Sequence, residues 1–453
     1  MKKKSVSQSA SFNLRILTSL FLGLAGVPMT FGGALTANIA AGAITDTCTW
    51  SSGPDMPSPG VRMAGVFFPG NGKFYAMGGR AFDGGGGEFT NPLEYDPANN
   101  SWTTKSATYP DNQVNNIACG VLTDSGTPYI YCVGGSESAT STVTGRVFRY
   151  NPVTDTISTV AAPWPAGTQN VLPGGFTVLG NKFYILGGFN VNVSMDDRIW
   201  EFTPPSSWVQ KSTNLPTQLG YVPTATIGNL IYTGGGSTWD GTTLQDSNFS
   251  FVYDPVANTL GNIAAIPRAT AETRALNFNG QMLVMGGGRV APNPSNEVDV
   301  YDPGTNTWST SIPPFSNARR NFPTGTDGIS HIWLSGGYDI DGVTPLSSME
   351  IFECTTGGNI VLAAQVRRQQ NKRFVVMNWS PADGGSVNVL RNGSVIGTTA
   401  DDGSFQINIH AHTGTDTYQV CETDSGDCSN VVTVTTRLPS PSLPQRTTGQ
   451  SMW

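Results

Sequence analysis

KFYAMGG (Lys73–Gly79) is a short apolar strand that stops on two glycines, and the chain returns to it five times. The other copies are YIYCVGG (Tyr129–Gly135), KFYILGG (Lys182–Gly188), LIYTGGG (Leu230–Gly236), MLVMGGG (Met282–Gly288) and HIWLSGG (His331–Gly337). Their glycine pairs begin at 78, 134, 187, 235, 286 and 336, in steps of 56, 53, 48, 51 and 50 residues. A period near fifty is the signature of a repeat architecture. A second phrase follows each glycine pair: Tyr95-Asp96-Pro97, Tyr150-Asn151-Pro152, Phe202-Thr203-Pro204, Tyr253-Asp254-Pro255 and Tyr301-Asp302-Pro303. Asp or Asn before Pro starts a turn, because its side chain bonds the backbone ahead while Pro presets φ. An apolar anchor then arrives at Trp102, Ile157, Trp208, Leu260 or Trp308, so each unit reads as four short strands.

Composition agrees with a chain of strands and turns. The 453 residues include 54 Gly and 30 Pro, and only 13% are charged. Regular short apolar runs set it apart from a disordered Gly/Pro-rich chain. At the N-terminus, Lys2, Lys3, Lys4 and Arg15 precede an apolar run, Ile16–Val27, too short for a comfortable membrane span. This predicts an export signal over residues 1–43, cleaved near 37 or 43, and no stable membrane span thereafter. Losing its four cations takes the formal charge from −7 to −11, which disfavours nucleic acid as a partner. Six cysteines, an even number, suit an oxidising compartment: secreted, periplasmic or at the cell surface.

The recurrent double glycine, Tyr-Asp-Pro turn and Trp together resemble kelch repeats, over roughly Thr47 to Thr356. The expected fold is all-β: a six-bladed kelch-type β-propeller over residues 44–356, followed by a small immunoglobulin-like β-sandwich. The strand Ser348–Cys354 matches the aromatic phrase of a sixth unit, yet no Trp-bearing fourth strand follows it. Thr47-Cys48-Thr49-Trp50 supplies one at the start, so the N-terminal strand is expected to complete the last blade. Of the fifteen possible cysteine pairings the repeat suggests one. Cys119 and Cys132 flank a hairpin, as do Cys421 and Cys428, and ring closure makes Cys48 and Cys354 neighbours.

Beyond the repeat, alternating patterns at Val375–Ser380, Ser386–Leu390, Ser394–Gly397 and Thr417–Cys421 are parted by turns at Asp383-Gly384-Gly385, Asn392-Gly393 and Asp402-Gly403. With Trp379 and Tyr418 they resemble a fibronectin type III or immunoglobulin-like module over residues 359–436. Residues 437–453 are rich in Pro, Ser and Thr and read as a disordered tail.

A propeller's shared ligand position is the mouth of its central channel, and the innermost strands precede the glycine phrases. Arg62, Arg274 and Arg320 open three of them, and Arg80, Arg289 and Arg319 lie close to comparable rim positions. The planar fork of an arginine holds carboxylates or polar glycans, so Arg62, Arg274, Arg320, Arg80 and Arg289 are the candidate ligand-binding residues. The competing reading is that they bond strand carbonyls and neighbouring acids. Trp164, Trp239 and Tyr338 are loop aromatics able to stack on sugar rings.

The favoured function is a binding protein that takes a glycan or an extracellular protein at the channel mouth and blade loops, with no cofactor and no metal. The alternative is a sugar mutarotase resembling the kelch-type sialic acid epimerases. A copper-radical sugar oxidase similar to galactose oxidase shares the propeller-plus-sandwich plan but needs two histidines, two tyrosines and a cysteine crosslinked to one of them. His410 and His412 stand at same-face strand spacing without an evident third ligand, His331 lies inside a strand, and the cysteines are consumed in pairs.

Overall fold

The computed structural model describes residues 47–436, apart from 139, 141, 291–292, 356–359, 370–371, 381, 383, 410–413 and 424–427. The expected export signal, the tail from 437 and the pair His410 and His412 lie outside the described residues.

Each glycine phrase occupies the second strand of a four-stranded antiparallel sheet. The six first strands are Ala64–Phe68, Ala118–Asp124, Val171–Leu179, Thr224–Ile227, Ala275–Phe278 and Thr324–Thr326. Each packs against its counterparts in the sheets before and after, and Thr324–Thr326 returns to Ala64–Phe68, so the cycle closes. This is a β-propeller. The contact at closure is close: a Cβ on Gly65 would lie 2.2 Å from the backbone N and O of Thr324.

The N-terminal strand Thr47–Gly53 pairs with Met349–Thr355 and so forms the outer edge of the sheet that ends the cycle. In that register Cys48 faces Cys354, and the two sulfurs are at bonding distance. Cys119–Cys132 and Cys421–Cys428 pair likewise. Trp50 takes the role that Trp102, Trp208 and Trp308 take in their own sheets. Its indole N–H donates to Pro313 O at 2.8 Å, as theirs donate to Pro54 O, Ala162 O and Ala264 O.

The Tyr-Asp-Pro phrase closes its turn from both ends. Asp96 Oδ1 accepts from the N–H of Ala98, while the Tyr95 hydroxyl donates to Asn100 Oδ1 at 2.7 Å. Tyr253 with Asn258 and Tyr301 with Asn306 repeat the second bond. Each of these asparagines is left-handed, a conformation Asn tolerates well.

The glycine pairs join one sheet to the next. The N–H of Gly79, Gly188, Gly236, Gly287 and Gly337 donates to Val114 O, Leu219 O, Thr270 O, Arg319 O and Gly60 O, each in the lead-in to the following sheet, at 2.7–2.9 Å. Gly79 has φ +79, and a Cβ there would meet Val61 O at 2.4 Å. Gly79→Ala is therefore expected to cost about 2–3 kcal/mol, combining the left-handed penalty with crowding of a carbonyl. Gly72→Ala isolates the first contribution: φ there is +68 with nothing near, so about 1 kcal/mol is expected. Urea unfolding of the two variants measures the difference, and equal losses would refute the packing role.

In one respect the strands differ from the expectation that they stop on the glycines. In the third and fourth sheets, Lys182–Asn190 and Leu230–Trp239 continue past them. Partner strands Ser194–Thr203 and Leu244–Asp254 extend to meet them, with the register shifting at the glycines. The pair acts there as a β-bulge within a longer hairpin.

The remaining described strands form a three-stranded sheet (Val361–Gln369, Lys372–Ser380, Ser404–Asn408) and a four-stranded sheet (Ser394–Ala400, Ser386–Arg391, Gly414–Glu422, Val432–Thr436). Leu362, Val375, Met377, Trp379, Val389, Tyr418 and Val420 share one buried core. Alternation along Lys372–Ser380 buries Val375, Met377 and Trp379 and leaves the residues between them more exposed, as a half-buried strand requires. Trp379 lies in that core with its indole N–H on Asp401 Oδ1 at 2.6 Å.

Candidate functional site: the channel and its two mouths

The chain approaches the first strand of each sheet through a short lead-in. In five of them one residue is left-handed: Arg62 (φ 59), Asn116 (φ 57), Tyr221 (φ 49), Glu272 (φ 55) and Asn321 (φ 54). The third sheet has Pro173 near this point, where positive φ is impossible. The left-handed residues bond one another around the axis: Asn321 N–H donates to Glu272 O at 2.6 Å, Arg62 N–H to Asn321 O at 2.8 Å, and Asn116 N–H to Arg62 O at 2.9 Å. Non-glycine residues persist in this conformation only where the surroundings hold them there, and such positions concentrate at binding and catalytic sites. The belt constricts the channel to a void of about 10 Å³, at most one water, lined by Arg62, Asn116, Tyr221, Glu272, Arg274 and Asn321 among others. It separates two mouths.

The first mouth is a cavity of about 630 Å³. Arg62, Arg80 and Arg289 give it a cationic side, and Phe189, Tyr221 and Trp239 an aromatic one. Beneath the cationic side, Tyr338 is buried among guanidinium groups. Its ring lies under Arg320 at 4.6 Å and Arg62 at 5.6 Å. Its hydroxyl donates to Asp83 Oδ1 at 2.6 Å and accepts from Arg62 Nε and Arg80 Nη2 at 3.2 and 3.1 Å. Arg80 also donates to Ser138 Oγ, tying the first sheet's loop to the second's. Burial pushes the Asp83 carboxyl up, but the Tyr338 hydroxyl and Arg80 more than offset it and hold it below the usual range.

Glu272 anchors the other flank. Fully buried, it accepts from Arg320 Nη1 and, at 2.7 Å, from Asn321 Nδ2, with Arg289 Nη1 at 3.3 Å. Burial alone would raise its pKa, yet Arg320, Arg289 and Arg62 keep it below 4.5. It is an ionised organiser of arginines.

The sequence candidates thus divide. Arg62, Arg80 and Arg289 reach the first mouth; Arg320 lies beneath it, committed to Glu272 and to Gly342 O. Arg274 lines the constriction and the opposite mouth. Arg319 is no rim residue: it is buried, donating to Glu350 Oε1 at 2.9 Å and to Gly336 O and Ser348 O. Two of the three aromatics proposed for stacking are also inside, Tyr338 under the arginines and Trp164 against Trp208. Tyr338 is bridged to Arg320 in the lead-in of its own sheet, and Trp164 lies in the connection between the second and third sheets, placements that composition alone does not reveal. Trp239 does line the mouth. Phe189 and Tyr221 were missed, although the position following a glycine pair (Arg80, Ser136, Phe189, Ser237, Tyr338) was available as a signal. Among the described residues no three His, Cys, Asp or Glu side chains cluster as a metal site would require. His331 Nδ1 instead bonds Asp327 at 2.9 Å within its own hairpin.

The fifth sheet is the one that a family model recognises: residues 269–311 match the Kelch motif. Those residues carry a Kelch motif. Similar proteins agree: Kelch-like protein terF of Aspergillus terreus is 28% identical over 264 residues, 56% of this chain and 55% of that protein. Kelch repeat and BTB domain-containing protein 1 of Cowpox virus is 25% identical over 241 residues, covering 52% and 39%. The chain thus spans about half the length of the fungal relative and less of the viral one. The solved structure of YjhT superposes with a TM-score of 0.50 at 16% identity, over 65% of this chain and 95% of that one, a likeness of fold.

Proposed function

We propose that this chain is an exported kelch-repeat binding protein. Its six-bladed propeller, residues 44–356 closed by the N-terminal strand, presents the first mouth to an extracellular protein or glycan. The observation that carries this reading is the single cavity of about 630 Å³ in which Arg62, Arg80 and Arg289 face Phe189, Tyr221 and Trp239. A partner that fits offers a carboxylate to the guanidinium side and a flat apolar group to the aromatic side. Kelch-repeat relatives support a role in protein interaction. Three cysteine pairs support an oxidising compartment. No helix among the described residues is long and apolar enough to cross a membrane. The immunoglobulin-like sandwich, residues 359–436, serves as a spacer or second contact.

Peptide-display selection and a glycan array, each run with wild type and with Arg80→Ala/Arg289→Ala, test the assignment. Wild type is expected to select ligands with an acidic group next to an aromatic or sugar ring. The double variant should bind them at least about tenfold more weakly, the worth of one charge-assisted contact. Equal binding by both would place the partner elsewhere.

A further inference from the structure

The opposite mouth has a different chemistry. It is a cavity of about 490 Å³ into which all six first strands contribute, through residues such as Phe67, Val121, Phe176, Thr226, Leu276 and Gly325. Its wall is largely apolar. Two charged side chains line it, Asp327 and Arg274. Asp327 is fully engaged, accepting from the N–H groups of Ile329, Ser330 and His331, the Ser330 hydroxyl and the His331 ring. Arg274 is not: among the described residues no carbonyl, hydroxyl or carboxylate accepts from its guanidinium. Its nearest company is the face of Phe176, 4.1 Å below.

Every other arginine of the channel has an anionic partner or a hydroxyl. Glu272, only two residues away, is committed to Arg320, Arg289 and Asn321 on the other side of the belt. Burial presses the Arg274 pKa down to about 10, so the group stays charged at neutral pH. A charged fork of five donors held against an aromatic ring, at the foot of an apolar bowl, lacks a counter-anion. Ligand sites combine apolar walls with a few placed polar groups in this way.

We infer that the mouth at Arg274 is a second binding site, for a single-headed amphiphilic anion whose carboxylate or sulfonate pairs with the Arg274 guanidinium while its apolar body lies against Phe176, Val121, Phe67 and Leu276. The belt of left-handed residues forms the floor, which limits the ligand to what the bowl holds and keeps it out of the first mouth. The site does not depend on the function assigned to that mouth.

The probe is 8-anilinonaphthalene-1-sulfonate, titrated by fluorescence into the full chain, with uncharged N-phenyl-1-naphthylamine alongside. Saturable binding of the sulfonate is expected, weakened about tenfold or more by Arg274→Met and less by Arg274→Lys. The uncharged probe should bind wild type and Arg274→Met alike; because an aromatic sulfonate also suits the first mouth, both titrations are repeated in the Arg80→Ala/Arg289→Ala background, where the Arg274-dependent binding should persist. Competition by decanoate against 1-naphthoate then distinguishes an aliphatic from an aromatic body. Absence of saturable binding, or sulfonate binding unchanged in Arg274→Met, would overturn the site. Should the Met variant fail to fold, wild type supplies the test: phenylglyoxal modification of Arg274, followed by peptide mass spectrometry, must slow when the sulfonate saturates, and an unchanged rate refutes the proposal.

Discussion

Replacing Cys48 and Cys354 together by serine is expected to remove about 5.7 kcal/mol of unfolding free energy. The reason lies in the unfolded chain. The bond spans 306 residues and joins the strand Thr47–Gly53 to Met349–Thr355, the outer pairing that completes the last sheet of the cycle. Cross-linking so long a loop restricts the denatured ensemble far more than a short one does. The bond between Cys421 and Cys428 spans 7 residues, and the same relation gives it about 2.5 kcal/mol. Guanidinium unfolding of the two double-serine variants therefore discriminates by a factor of about two. In the Cys48→Ser/Cys354→Ser protein, limited proteolysis should cut first near the N-terminal strand. Equal losses from the two variants, or no early cut there, would show that ring closure does not rest on this bond.

The second large effect belongs to Glu272. Glu272→Ala leaves Arg320, Arg289 and Arg62 facing one another with no carboxylate between them, and removing one member of a buried ion pair costs about 3–5 kcal/mol. Glu272→Leu combined with Arg320→Met should cost less than Glu272→Ala alone, because no unbalanced charge is created at that pair. The effect depends on pH in a definite sense. The folded carboxyl titrates below its ordinary 4.5, so its stabilisation is fully present above that value. It is lost as pH falls through the folded value. The gap in stability between wild type and Glu272→Ala should accordingly be flat near neutrality and narrow in acid. Urea midpoints measured at pH 7 and pH 3 check this, and a gap that widens at pH 3 would reverse the assignment.

Much of the architecture was legible because the same contacts recur in several of the six units. A glycine pair is required wherever a second strand meets the next sheet's carbonyl, and a Tyr-Asp-Pro turn wherever an aromatic hydroxyl reaches the asparagine five residues on. Trp50 was identifiable as the missing outer strand because Trp102, Trp208 and Trp308 do the same work elsewhere. The channel was less legible. Glu272 and Arg274 stand two apart, a spacing that in a regular strand puts both side chains on one face. The left-handed turn at Glu272 breaks that rule and turns the acid onto Arg320 and Arg289 while Arg274 lines the apolar mouth. Arg319 and Arg320 are adjacent and equally basic, yet one is bonded to Glu350 and the other to Glu272. Which arginine is spent internally depends on acids 31 and 48 residues distant in sequence.

A repeating four-strand unit, the order of its strands and the residue that completes the ring can be read from the residues, because they follow from local turn chemistry and strand periodicity. The nature of the channel emerges only when the repeats pack together. Four left-handed residues from four different repeats, Glu272, Asn321, Arg62 and Asn116, join their backbones and, with Tyr221 from a fifth, divide one axis into a cationic–aromatic mouth and an apolar one. That division arises from contacts between repeats, and no single repeat carries the information for it.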